Sequence, residues 1–139
     1  MVQLQPDEAV RRLLVADVAR LATASAAAVP HIVAVTFAET GGRIYTAIDH
    51  KPKSSTRLKR LRNIEQNPSV SLLVDHYSPD WEALWWVRVD GRARVLESGS
   101  APGEAVCALR AKYPQYREAS LDAPMIEIEP TRTTGWSYR

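Results

Sequence analysis

The 139-residue sequence predicts a mainly β protein, an antiparallel barrel with helices packed on its rim and ends. Its hydrophobic patterns divide into about six strands and three helices, and hairpin-like connections outnumber strand-helix-strand crossovers. A chain of this length fits one domain, so residues 1–139 are predicted to form a single domain, which excludes a two-domain enzyme. The sequence has no glycine-rich loop of the dinucleotide-binding or Walker type, which excludes those two phosphate sites.

The first part of the chain is predicted to be a helix followed by three strands. Pro6 suits the first turn of a helix, and the acidic Asp7 and Glu8 are favoured there by the helix dipole. The β-branched run HIVAVTFA indicates a strand, and the Glu-Thr-Gly-Gly sequence after it indicates a hairpin. The predicted elements are a helix at 6–16 and strands at 20–25, 31–38 and 43–48.

The rest of the chain is predicted to contain two helices and three strands. Asn67 and Pro68 end a helix for which Ser54 and Ser55 are candidate N-caps. Gly91 interrupts a long alternating segment and is a candidate bulge. The predicted elements are a helix ending at residue 66, strands at 70–75 and 84–96, a helix from 100 to about 113 and a short strand at 125–129.

Positive charge is concentrated in the segment 51–62, KPKSSTRLKRLR. The segment carries +6 and no acidic residue, so a net charge of +2 leaves −4 on the remainder. Cations beside the start of a helix form a phosphate or carboxylate site, and a solvated helix face is the alternative. The acidic remainder argues against a nucleic-acid-binding protein. The polar side of this helix is predicted to hold Ser55, Thr56, Lys59, Arg60 and Asn63, and the apolar side Leu58, Leu61 and Ile64.

Cysteine usage and the N-terminal residues predict a cytoplasmic protein. The single cysteine, Cys107, excludes an intramolecular disulfide framework, fits a reducing compartment, and is predicted to be buried in a helix. The N-terminus lacks the basic-then-apolar order of a secretory signal, and no stretch approaches the ~20 apolar residues of a membrane helix. We therefore expect no membrane partner.

Histidines and tryptophans supply the remaining candidate site residues. His31, His50 and His76 follow or begin strands, but none has a metal-ligand spacing to another ligand, so no metal site is predicted. Trp85 and Trp86 must point to opposite faces if they lie in a strand, so one of them can reach a surface. An exposed tryptophan there would contact a ligand ring or a second subunit, and core packing is the alternative.

Several strings of the sequence occur in a characteristic order. The sequence contains RLAT at 20–23, VPHIVAV at 29–35, RIYTAI at 43–48, the basic segment and then RNIEQNPSVSLLVD at 62–75. WVRVDGRARVL follows at 86–96. This ordered set resembles the flavin- and deazaflavin-binding split β-barrel proteins related to pyridoxamine 5′-phosphate oxidase. The resemblance implies an antiparallel split β-barrel of the FMN-binding type, and a homodimer with two cofactor sites at the subunit interface.

The resemblance also implies which residues contact the cofactor. Tyr45 and Thr46 match strand positions that contact it, and Lys59 and Arg60 match the basic pair on the following helix. Where FMN-dependent oxidases of this family place an arginine and a lysine, this sequence has His31 and Thr36. The predicted cofactor-binding set is His31, Tyr45, Thr46, Ile48, Lys51, Lys53, Ser55, Thr56, Lys59, Arg60 and Trp86. No catalytic residue is assigned.

The sequence has extra cations at Lys51 and Lys53 and is short. In both respects it resembles the branch of this family that uses coenzyme F420 more than the branch that uses FMN. Coenzyme F420 has a phosphate and a polyglutamate tail, which separated cations could bind. The resemblance therefore implies an F420-dependent oxidoreductase that transfers hydride to a small unsaturated or quinone-like acceptor. The alternatives are an FMN-dependent oxidoreductase of the same fold and a non-catalytic protein that binds a flavin, coenzyme F420 or haem.

Overall fold

The computed structural model describes residues 1–48 and 58–139, which form three helices and eight strands. The helices are α1 (Pro6–Val15), α2 (Lys59–Gln66) and α3 (Gly103–Lys112). The strands are β1 (Val2–Gln3), β2 (Ala19–Ala24), β3 (Pro30–Val35), β4 (Ala38–Thr40), β5 (Arg43–Ala47), β6 (Ser69–His76), β7 (Trp85–Leu96) and β8 (Met125–Ser137). Single turns of 3-10 helix lie at Trp81–Ala83 and Pro114–Tyr116.

The strands form one antiparallel sheet in the order β3-β2-β6-β7-β8-β5-β4, with β1 paired to β8. β7 and β8 lie in the middle of this order and are the longest strands, with 12 and 13 residues. β7 pairs with β6 on one side, and β8 pairs with β5 on the other. The pairing of β7 with β8 therefore joins the two halves of the sheet.

The core has two parts, on the two faces of the sheet. The larger part fills the concave interior, where Leu21, Phe37, Leu72 and Val87 are fully buried. The smaller part lies under α3, where Tyr45, Leu109 and Met125 pack together. Because successive residues of a strand point to opposite faces, β5 sends Ile44 into the interior and Tyr45 towards α3. Burial of both faces of β5 fixes its position.

The mainly antiparallel sheet with three helices confirms the predicted fold class, although the strand predicted at 31–38 is interrupted. β3 ends at Val35 and β4 begins at Ala38. Between them the backbone N–H of Phe37 donates to the Tyr113 hydroxyl at 3.0 Å, and its carbonyl accepts from Lys112 Nζ and Tyr113 Oη, both at 2.9 Å. Phe37 thus bonds to residues of α3 and its C-cap instead of to a neighbouring strand.

Two other predicted boundaries differ from the structure. The short strand predicted at 125–129 is the first part of β8, which continues to Ser137 because its second half pairs with β7 and β1. Pro130 and Gly135 lie in this second half, and both residue types are unfavourable within a strand, so the sequence did not indicate the continuation. The helix start predicted at Ser54 or Ser55 lies outside the described residues, and the described part of that helix begins at Lys59.

Two side chains are placed differently from the prediction. Asn63 was predicted on the polar side of α2, but it is buried and its Nδ2 donates to Thr23 Oγ1 of β2 at 3.0 Å. An amide can lie inside when it finds such a partner. Cys107 was predicted to be buried, but it is exposed on α3. On this helix Ala105 and Leu109 face the core and Cys107 lies between them in sequence.

The predicted bulge at Gly91 is confirmed. The register of β7 with β8 shifts between Asp90 and Gly91, so that Asp90 pairs with Arg132 and Gly91 with Pro130. The extra residue, Thr131, is therefore on β8, and its hydroxyl donates to the carbonyl of Asp90 at 3.0 Å. Such a bulge bends and twists a strand pair. A glycine is needed because a Cβ at position 91 would lie 2.6 Å from the carbonyl oxygen of Glu129.

Glu127 of β8 is buried and is the centre of a polar cluster whose arginines are exposed. It accepts a hydrogen bond from Arg94 Nε at 2.7 Å and another from Tyr45 Oη at 3.0 Å. Arg43 Nε lies 3.8 Å from the same carboxylate. Burial alone would raise the pKa of Glu127, but the hydrogen bonds from Arg94 and Tyr45 and the charges of the two arginines hold it below its ordinary value. The cluster ties β5, β7 and β8 together.

We predict that Gly91→Ala destabilises the protein by about 1–3 kcal/mol, because the added methyl group must displace the backbone of β8. The measurement is the free energy of unfolding in urea. Gly103→Ala is the control, since a Cβ there meets no atom within 4 Å. A wild-type unfolding free energy for Gly91→Ala would contradict the close approach of the two strands.

We also predict that Glu127 makes stability depend on pH. Its folded-state pKa is lowered, so its contribution is present above the ordinary pKa of about 4.3 and is lost as pH falls through the folded-state value. Glu127→Gln should therefore be less stable than wild type at pH 7, and this difference should shrink on acidification below about pH 4. Urea unfolding from pH 7 to 3 measures it, with the exposed Glu129→Gln as control. A difference independent of pH would contradict the role of the charge.

Candidate functional site

A groove opens where the ends of β3 and β5 meet the start of α2. We call it the α2 groove. Its volume is about 190 Å³, and it lies beside small side chains, since Ala34 is on the outer face of β3 and Ala47 ends β5. Arg60, in the first turn of α2, supplies its positive charge. The groove is lined by Val18, Ala34, Val35, Thr36, Ala47, Arg60 and Tyr116.

A second cavity, of about 500 Å³, adjoins the α2 groove and shares Val18, Thr36 and Tyr116 with it. We call it the α3 cavity, because Lys112 and Tyr113 at the end of α3 form one wall. The hydroxyls of Thr36 and Tyr116 are 2.6 Å apart and are hydrogen-bonded to each other at the boundary between the two spaces. The α3 cavity is lined by Asp17, Val18, Thr36, Lys112, Tyr113, Pro114, Gln115 and Tyr116.

Burial shifts the pKa of two groups that line the α3 cavity, Lys112 and Tyr113. Desolvation lowers the pKa of Lys112 to about 8, against a smaller opposing effect of the Asp17 carboxylate. Burial also raises the pKa of Tyr113, whose hydroxyl bonds the carbonyls of Asp17 and Phe37. This end of the protein therefore holds a cation in the groove and an amine of reduced basicity beside it.

Of the predicted cofactor-binding residues that the structure describes, Arg60 lines the α2 groove. Thr36, which was not in the predicted set, also lines it. Lys59 is exposed and precedes Arg60 on α2. Thr46 and Ile48 flank the lining residue Ala47, but alternation along the strand directs them to the opposite face. Thr46 is fully buried, and its hydroxyl has no hydrogen-bond partner within the described part of the chain.

Tyr45 is also predicted to contact the cofactor, but in the structure its side chain packs in the core. Its ring is 2% exposed and packs under α3, and its hydroxyl donates to Glu127. Burial raises its pKa, and the hydrogen bond to Glu127 adds to this. The side chain of Tyr45 is therefore committed to the core.

His31 does not line the α2 groove. It lies near the start of β3, opposite Thr23 of β2, and directly paired residues share a face of the sheet. That face carries Leu21 and Val33 towards the interior, whereas Ala34 of the opposite face lines the groove. The Nδ1 atom of His31 is buried and has no hydrogen-bond partner among the described residues.

Trp86 lies far from the α2 groove within this chain. It pairs with Trp136 of β8, whereas Thr46 pairs with Ile126, ten residues earlier on β8. At ~3.3 Å per residue this separation is on the order of 30 Å along the strand. Trp86 and Trp85 do point to opposite faces, with Arg88 5.8 Å from the Trp86 ring and Arg12 5.2 Å from the Trp85 ring.

Four other predicted contacts, Lys51, Lys53, Ser55 and Thr56, lie outside the described residues. The structure adds Lys112 and Tyr116, which the sequence analysis missed. Lys112 ends α3, where a basic residue is ordinarily explained by the helix dipole. The sequence Lys-Tyr-Pro at 112–114 marked only the end of a helix, and nothing in it indicated contact with the segment around Thr36.

The described residues contain neither a membrane-spanning helix nor a cluster of metal ligands. No helix within 1–48 or 58–139 is both long and apolar enough to cross a membrane. Over the same ranges, no three His, Cys, Asp or Glu side chains come together as metal ligands would.

Solved structures of other proteins share this arrangement of strands and helices. The chain is similar to a FAD-binding protein from Mesorhizobium loti, with 22% identity, a TM-score of 0.69, and coverage of 96% of this chain and 95% of that one. It is similar to a conserved hypothetical protein from Mycobacterium tuberculosis, with 21% identity, a TM-score of 0.77, and coverage of 98% and 86%. It is also similar to the haem storage protein HutZ from Vibrio cholerae, with 17% identity, a TM-score of 0.70, and coverage of 98% and 95%.

These structural similarities establish the fold. A search of curated proteins gave no significant match. The sequence family described as pyridoxamine 5′-phosphate oxidase matches residues 6–137, which is nearly the whole chain and includes both the strands around the α2 groove and the α3 helix. The protein therefore belongs to the pyridoxamine 5′-phosphate oxidase family and has its split β-barrel fold.

Proposed function

We propose that this protein is an oxidoreductase that uses coenzyme F420 and holds it at the α2 groove. The observation that carries the proposal is the position of Arg60, which brings a guanidinium to a groove walled by Ala34 and Ala47. A guanidinium can bind a phosphate through two parallel hydrogen bonds, and small side chains allow a flat ring to approach a strand. The similarity to a FAD-binding protein supports a flavin-type ligand.

The groove residues fit part of such a cofactor. At about 190 Å³ the α2 groove is smaller than the usual ligand pocket of about 300–1,000 Å³, so it would hold the phosphate and one edge of a ring. The exposed Lys59 on the same turn would add a cation for an anionic tail. Thr36 and Tyr116 would supply hydroxyl contacts beside Arg60.

When bound, reduced coenzyme F420 supplies a hydride, which a small unsaturated or quinone-like acceptor takes up together with a proton. The protein's part is to bind and orient. Arg60 would hold the phosphate, and Val18 and Val35 would exclude water from the ring. We assign no proton donor, because the described residues place no acid against a defined reacting atom.

We further propose that the protein is a homodimer and that the second subunit covers the α2 groove. β3 is one of the two edge strands of the sheet order, and apolar residues are exposed on and beside it, with Ile32 66% and Val18 45% exposed. Val18 also lines the groove, so a subunit packed on this face would complete the site. Exposed apolar patches of this kind mark interaction surfaces.

A second candidate function is storage or transport of a cofactor without turnover. It is favoured by the similarity to a haem storage protein, which has the same fold at a TM-score of 0.70. An FMN-dependent oxidoreductase is the remaining alternative. Titration with each cofactor, together with an assay for the reduction of enones and quinones, distinguishes all three.

We predict that the purified protein binds coenzyme F420 more tightly than FMN or haem, and that Arg60→Ala weakens F420 binding at least tenfold, or about 1.4 kcal/mol. Fluorescence titration with each ligand measures both. Arg62→Ala removes the same charge from an exposed position of α2 and is the matched control.

Preferred binding of FMN would replace the F420 proposal with the FMN-dependent alternative. Tight binding of any cofactor without reduction of enones or quinones would favour storage. Equal affinities of the Arg60→Ala and Arg62→Ala variants would show that the α2 groove does not hold the cofactor.

The dimer proposal predicts that Ile32→Lys produces a monomer and weakens cofactor binding. A charge on the covered face must be desolvated when the subunits associate. Light scattering after size-exclusion chromatography measures the mass, and Val15→Lys is the control, since Val15 is also 66% exposed but lies on α1. A wild-type mass that is monomeric, or a dimer that survives Ile32→Lys, would contradict this interface.

A further inference from the structure

The α3 cavity adjoins the proposed cofactor site and shares Val18, Thr36 and Tyr116 with it, but the walls formed by α3 and the turn after it have no part in that site. It is the larger of the two adjoining spaces, at about 500 Å³, which lies within the range of small-molecule pockets. Its walls are largely ring and aliphatic surfaces, from Val18, Tyr113, Pro114 and Tyr116. A flat aromatic compound of one ring fits such walls better than a charged or extended one.

Lys112 is held at this cavity in a defined position. Its Nζ donates to the Phe37 carbonyl at 2.9 Å and lies 3.7 Å from the centroid of the Phe37 ring and 5.3 Å from that of Tyr113. The titratable groups that share the cavity with it are Asp17, Tyr113 and Tyr116. The amine is therefore anchored by one hydrogen bond and surrounded mainly by rings.

Partial burial among these rings changes the chemistry of the amine. It lowers the pKa of Lys112 to about 8, although Asp17 acts in the opposite direction. Roughly a quarter of such an amine is unprotonated at pH 7.5, compared with roughly one part in a thousand for an ordinary lysine. A neutral amine keeps an N–H for Phe37 and gains a lone pair, which makes it a nucleophile.

We propose that the α3 cavity is a carbonyl-binding site in which the amine of Lys112 condenses with a small aromatic aldehyde. The aromatic walls bind the ring, and the anchored amine meets the carbonyl group. This site shares Thr36 and Tyr116 with the proposed cofactor site, but the condensation does not require the cofactor.

The condensation needs no oxidant or reductant. The Lys112 nitrogen attacks the carbonyl carbon, the carbonyl oxygen takes up a proton from the nitrogen, and a carbinolamine forms. Loss of water then leaves a carbon–nitrogen double bond. The hydrogen bond between the Thr36 and Tyr116 hydroxyls uses one of their two hydrogens. The second hydroxyl hydrogen can be donated to the carbonyl oxygen at the edge of the cavity.

The test is reductive labelling of the full chain with 2-hydroxybenzaldehyde and sodium cyanoborohydride at pH 7.5. The chain has four lysines, so peptide mass spectrometry can follow each separately. We expect Lys112 to be labelled at least tenfold faster than the exposed Lys59. The preference should fall with acetaldehyde, which cannot use the ring walls. Labelling of Lys112 no faster than Lys59 would overturn the proposal.

Two variants separate reactivity from access. Lys112→Arg keeps the charge and should lose the fast-labelled site. Asp17→Asn removes the carboxylate that favours the protonated amine, so the pH midpoint of Lys112 labelling should move below the wild-type midpoint. If Lys112→Arg fails to fold, the wild-type pH profile alone decides, because a midpoint near that of Lys59 would contradict the proposal.

Discussion

β7 and β8 pair from Trp85 with Ser137 at one end to Leu96 with Met125 at the other, and they bend at the bulge opposite Gly91. Four strands lie between β3 and β5 in the sheet order, yet both line the α2 groove. The sheet must therefore curl back on itself, and the bulge supplies local bending in the strand pair at its centre. This curvature depends on the close approach of Gly91 to the Glu129 carbonyl, which only a residue without a Cβ allows.

Tyr113 is the second constraint, because it connects α3 to the interrupted strand. Its hydroxyl accepts from the N–H of Phe37, and its one hydrogen lies within reach of two carbonyl oxygens, that of Asp17 at 2.8 Å and that of Phe37 at 2.9 Å. These bonds replace the sheet bonds that Phe37 would otherwise make, and they hold α3 against the segment between β3 and β4. The gap they leave is the α3 cavity. The same break that limits the sheet therefore creates the space beside the proposed cofactor groove.

The sequence predicts the features that depend on neighbouring residues. The alternation around Gly91 indicated both a long strand and its bulge, and the cations near Lys59 indicated an anion site that includes Arg60. Features that depend on distant partners were missed. Phe37 reads as part of a strand, because Tyr113 is 76 residues away. Asn63 reads as surface, because its partner Thr23 is 40 residues earlier.

Of the site residues assigned by resemblance, Arg60 lines the groove, whereas Tyr45 and Thr46 are buried. Arg60 reaches the groove because it lies at the start of a helix whose apolar side, Leu61 and Ile64, is fixed in the core. Tyr45 and Thr46 are on the expected strand, but one is bonded to Glu127 and the other is fully buried. Strand membership alone does not decide which side chain a ligand meets, since the wall is formed by Ala47 of the same strand and by Ala34 of β3.

The proposed function depends on the α2 groove holding the phosphate of a flavin-type cofactor. A crystal structure of the protein with coenzyme F420 would show whether it does. We expect the phosphate within hydrogen-bond distance of the Arg60 guanidinium and the ring against Ala34 and Ala47. Phosphate density at another arginine-lined cavity, such as the one formed by Arg43, Arg92 and Arg94, with the α2 groove left empty, would contradict it.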